Sequence, residues 1–148
     1  MSHVRTDIRV AATALLGGLH TSGANVFKGR TYPRSERQLP CLLITTNDEP
    51  EIEEGAGQNP QLDRRLELVV RCAAMDSESV DDLIDTMIAE VEERMADAGT
   101  LSGLASNVSA PRNIRLGFDD TLQKPLAIAD VMFVVAYSTR ARSPGISI

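Results

Sequence analysis

The stretch LAIADVMFVVAYST, residues 126–139, decides the fold. In an extended chain Ala127, Ala129, Val131, Phe133, Val135 and Tyr137 project to one side, and Ile128, Asp130, Met132, Val134 and Ala136 to the other. Period-two spacing with β-branched and aromatic residues marks a strand. Both rows are largely apolar, so the strand belongs inside a sheet, covered by helices on at least one side.

Working outward, residues 119–125 form a turn and residues 113–118 a short strand on Ile114, Leu116 and Phe118. Residues 101–111 are a polar connection. On the other side, RARSPGISI at residues 140–148 is basic, then small and apolar; residues 141–148 are expected to be a mobile tail.

Upstream, residues 77–98 carry the strongest helical pattern. Val80, Leu83, Ile84, Met87, Ile88, Val91 and Met95 fall on one stripe, with Asp81, Asp85, Glu90, Glu92 and Glu93 mostly off it. Ser79 with Asp82 three residues later resembles a capping box, and Gly99 suits the helix end. This helix should be the main lid on the sheet.

Residues 4–19 read as a second amphipathic helix, on Val4, Ile8, Ala11, Ala12, Leu15 and Leu19, stopped by Ser22-Gly23. Residues 25–37 are a loop or weak strand, and residues 39–46, LPCLLITT, a buried strand with Pro40 at its start or on an edge. Residues 47–60 are an acidic loop. Residues 62–73 alternate Leu66, Leu68, Val70 and Cys72 against Arg65, Glu67, Val69 and Arg71, a strand with one wet face. The two strands around the acidic loop suit an antiparallel hairpin with an extended tip. The expected fold is one α+β domain over residues 1–148, a mainly antiparallel sheet of about four or more strands packed on two helices.

Composition narrows the function. With a net charge of −6 the chain is a poor match for nucleic acid over a broad surface. Aromatics are few and Trp is absent, so base or sugar stacking is not its main business. There is no apolar run of transmembrane length and no apolar region of a secretory signal, which points to synthesis in the cytoplasm. Cys41 and Cys72 each sit in an apolar strand pattern and read as buried free thiols; a disulfide would need a register that sequence cannot supply.

Candidate chemistry is sparse. His3 lies in an N-terminus expected to fray, and His20 at a helix end where the dipole favours its cation. Asp119 and Asp120 sit in GFDDTLQKP, a turn. Asp48, Glu51, Glu53 and Glu54 lack the order of a calcium loop. Gly55-Ala56-Gly57 precedes no helix pattern and lies among acids, unlike a phosphate loop. Neither catalytic, cofactor nor metal residues are expected. The least bland feature is a basic set, Lys28, Arg30, Arg34 and Arg37. Its plain reading is a solvated loop. Its sharper reading is half of a contact between copies, meeting the acids Asp48, Glu49, Glu51, Glu53 and Glu54 of a neighbour, as in a ring-forming interface.

In order, the chain runs helix, basic loop, strand opening LPCLLITT, acidic loop, charged alternating strand, long helix, and a closing hairpin ending LAIADVMFVVAYSTR. From about Val4 to Arg140 this resembles the tail terminator proteins of long-tailed bacteriophages, the lambda-type minor tail protein family and its relatives. The resemblance implies an α/β subunit without catalytic residues, assembled as a hexameric ring. Such a ring caps the finished tail tube, meets the head connector, and passes DNA without binding it specifically. It implies a place in the virion, at the head-proximal end of the tail. A head-tail connector or other tail completion protein is the alternative; a small cytoplasmic enzyme or ligand-binding domain has no residue constellation behind it.

Overall fold

The computed structural model describes residues 2–29, 39–76, 78–119 and 124–148. Within them the chain is α+β: eight strands in one mostly antiparallel sheet and two helices. The centre is a ribbon of β4 (Gln61–Met75) and β7 (Leu126–Arg140), paired antiparallel from Gln61↔Arg140 to Met75↔Leu126. The apolar rows of both strands fall on one face: Leu66, Leu68, Val70 and Cys72 beside Ala127, Ala129, Val131, Phe133 and Val135, all essentially buried. On the reverse face β7 is half-buried while Val69 and Ala73 of β4 are buried, Ala73 with Cys41 and Leu43 in a small second apolar cluster, and there Arg71 grips Asp130 with two bonds of 2.7 and 3.0 Å.

Either flank of the ribbon carries short strands. On the β4 side, β2 (Cys41–Thr46) and β3 (Ile52–Glu54) pair antiparallel along the same edge, and β1 (Val26–Lys28) adds parallel to β2. On the β7 side lie β5 (Asn107–Val108), β6 (Asn113–Asp119) and β8 (Ser143–Ser147).

Both helices lie on the buried face. Helix α1 (Val4–Leu15) buries Val4, Ile8 and Ala12. Helix α2 (Val80–Ala96) buries Ile84, Met87, Ile88, Val91 and Met95 against β4 and β7, as its stripe predicts. Their ends are tied together. Arg94 Nη1 donates to the carbonyl of Leu15 at 2.8 Å, and the Glu90 carboxylate accepts from the Thr21 amide at 2.9 Å and from its hydroxyl. Carbonyls at a helix end need such partners. Gly99 follows α2 at φ +58, a backbone that a side chain would strain.

Several expectations need correction. The acidic loop 47–60 is interrupted by β3, because Ile52 and its neighbours find the free edge of β4 beyond β2. Within the tail, residues 143–147 fold back as β8, pairing Thr139↔Ser147 and Arg140↔Ser143 with a register shift between them. Ser79 precedes α2, but its side chain makes no capping bond. Helix α1 stops at Leu15, so His20 stands in the turn beyond the helix, exposed to solvent. His3 is the N-cap of α1, not a frayed residue. Asp120 and most of the 119–125 turn lie outside the described residues.

Cys41 and Cys72 are free and buried. Cys41 is opposite Ala73, and Cys72 opposite Leu42, so the thiols point to opposite faces of adjacent strands and cannot bridge. Burial pushes the Cys41 thiol up to about 11 and the Cys72 thiol to about 12, which leaves both protonated and inert.

Candidate functional site: two open edges and an inward glutamate

The charged residues singled out from sequence divide into three groups. Lys28 is exposed at the end of β1. Arg30, Arg34 and Arg37 lie outside the described residues. Asp48, Glu51, Glu53 and Glu54 are exposed, the last two on β3. Lys28 and β3 therefore share one edge of the sheet, the edge facing away from β7.

Glu49 turns inward instead. Its side chain is 7% exposed and that of Arg64 is 11%, and Arg64 Nη1 donates to Glu49 Oε2 at 3.2 Å. The Tyr137 hydroxyl donates to the other carboxylate oxygen. Arg64 Nε donates to Thr139 Oγ1 at 3.2 Å, and the guanidinium sits 5.9 Å from the Tyr137 ring centre. Burial, then the bond to Glu49, raises the Tyr137 phenol above its ordinary range. This network locks the chain after β2 onto the β4–β7 ribbon; it holds structure, and Glu49 is not available to a partner.

His3 completes that corner. Its Nδ1 accepts from the Arg5 amide at 3.1 Å, and its Nε2 is 3.4 Å from Arg64 Nη1. Burial, then the Arg5 and Arg64 charges with a smaller push from Arg9, lowers its pKa below the ordinary 6.5, while Glu49 opposes. The neutral ring is thus the folded form. Below the unfolded value the unfolded chain binds more protons, so this residue's contribution is lost as pH falls through and below that value. Between about pH 7 and about pH 5 the wild-type melting temperature should fall more steeply than that of His3→Asn, which keeps a capping acceptor without a charge change. Parallel thermal scans in matched buffers check this; identical slopes would refute it.

Sequence reasoning did not locate the opposite edge. Strand β6 pairs with β7 on one side, and among the described residues no strand pairs with its other side. Ile114, Leu116 and Phe118 oppose Val131, Ala129 and Ala127, so they point to the helix-bearing face. They are nevertheless 40%, 52% and 50% exposed, because α2 does not reach over them. Between β6 and α2 runs a groove of about 580 Å³ floored by Val80, Ile84, Leu116, Phe118 and Pro125 and rimmed by Asp81 and Asp85. An apolar row on an unpaired edge strand marks a surface that natural proteins normally cover. The one available signal was the count of helices, two, against the width of the sheet.

Among the described residues no three His, Cys, Asp or Glu side chains gather as a metal would require, and no helix is long and apolar enough to cross a membrane. The fold is an α+β sheet with two edges that no further strand pairs among the described residues. No protein-family model matches the chain, and no curated protein does.

Proposed function

We propose that this protein is a self-assembling structural subunit, the tail terminator of a long-tailed phage. Copies form a ring that caps the tail tube and presents a face to the head connector, at the head-proximal end of the virion tail. The observation that carries the reading is β6, a seven-residue strand whose outer side no strand pairs among the described residues and which carries an exposed apolar row. An acidic, charged edge lies on the opposite side of the same sheet, so each copy offers two different surfaces. Two different surfaces on one subunit favour head-to-tail contacts that close into a ring. The net charge of −6 supports a lumen that lets DNA pass without holding it. The resemblance in element order supplies the tail context.

Electron microscopy of particles assembled without the protein tests the role. Overlong tails are expected. Tails of normal length, unattached to heads, would replace the terminator reading with that of a connector. Complete, normal particles would reject both.

A further inference from the structure

We propose that the subunit contact is the addition of β3 of one copy to β6 of the next, antiparallel, in the register that sets Ile52 opposite Ile114. The inference rests on the self-assembling reading above and specifies its interface.

Strand directions permit it. Both β6 and β4 run antiparallel to β7, and β3 runs antiparallel to β4. A neighbour brought alongside without being turned over therefore presents its β3 antiparallel to β6, with the helices of both copies on one side. The two strands also lie on opposite edges and at opposite ends of the ribbon: β3 beside residues 62–64, β6 beside residues 126–132. Because two different edges meet, the contact is heterologous, which excludes a two-fold pair and forms a ring where the rotation between copies closes.

Side-chain faces match as well. Ile52 is opposite Arg64, itself opposite the inward Tyr137, so Ile52 lies on the helix-bearing face; it is 47% exposed. Ile114 is on that same face. With these two opposed, antiparallel counting sets Glu51 opposite Arg115 on the reverse face and brings Glu54 beside Arg112, the residue just ahead of β6. The Arg112 amide donates to the Met132 carbonyl at 2.8 Å, one residue out of the β6 register, which holds Arg112 beside β7 just ahead of the strand. All four charged residues are exposed. Thus one register gives an apolar pair flanked by two pairs of opposite charge, and strand edges that no described strand pairs are matched to each other. Shifting the register by one residue would put Ile52 against the opposite face.

The test uses the full chain and two charge-reversed variants, Glu51→Arg/Glu54→Arg and Arg112→Glu/Arg115→Glu, with circular dichroism to confirm that each folds. Sedimentation velocity at low salt should show wild-type oligomers and a loss of association of at least about tenfold for each variant alone. An equimolar mixture should reassemble, because each variant's altered edge fits the other's and the unaltered edges still fit. Separately, oxidised Ile52→Cys mixed with Ile114→Cys should give a covalent dimer. A wild-type chain that stays monomeric at every soluble concentration, a mixture that fails to reassemble, or self-cross-linking of Ile114→Cys alone would overturn this contact. A monomer whose absence still yields overlong tails would reject the contact while leaving the tail role standing.

Discussion

Met87→Asp is expected to abolish the fold. Met87 is 1% exposed, in the middle of the α2 stripe that lies on β4 and β7. Truncating a buried side chain of this size costs about 2–5 kcal/mol. An unpaired carboxylate in its place either stays charged in an apolar environment or takes up a proton, and both add several kcal/mol. The total reaches the range of a whole domain's stability, about 5–15 kcal/mol. Circular dichroism should show no cooperative melt for this variant, while Met87→Leu should stay within about 1.5 kcal/mol of wild type. A cooperative transition within a few degrees of wild type would mean that α2 does not roof the ribbon at this point.

The second large effect lies at the inward glutamate. Glu49→Ala is expected to cost about 3–5 kcal/mol, because it strands the Arg64 charge where little water reaches it. It also removes the acceptor of the Tyr137 hydroxyl. Removing both charges, as Glu49→Ala/Arg64→Met, should cost much less than the two single changes added together, since no unpaired ion is left. Tyr137→Phe should cost only about 1 kcal/mol, the usual net worth of one hydrogen bond. Urea titrations of the four proteins give the cycle. Glu53→Ala, on the exposed strand beside it, is the reference at about 0.5 kcal/mol or less. If Glu49→Ala matches that reference, the pair is a surface contact, and Glu49 returns to the set of residues available to a partner.

These two positions show where sequence was readable. Met87 falls at helical spacing among six other apolar residues, and only one face of a helix can hold such a stripe. Glu49 sits in an acidic run whose other members are solvated, and nothing in that run marks the one residue that turns inward. Its partners Arg64 and Tyr137 lie 15 and 88 residues further along, and the β4–β7 register sets those two opposite each other. The same holds for His3, whose neighbour Arg64 arrives from the middle of the chain.

By itself the sequence determined the layer plan: two amphipathic helices over a mainly antiparallel sheet built on residues 126–139. Periodicity is local, so the buried row of each element is written in its own residues. The tertiary structure decided what lies at the margins. It turned part of the acidic loop and the closing tail into strands, because free ladder positions on β4 and β7 were there to be filled. It also left the apolar row of β6 uncovered, since two helices are too few to roof the full width of the sheet. Alternation in residues 113–118 announces a strand with an apolar side; whether another element reaches that side depends on the length and placement of helices elsewhere in the chain.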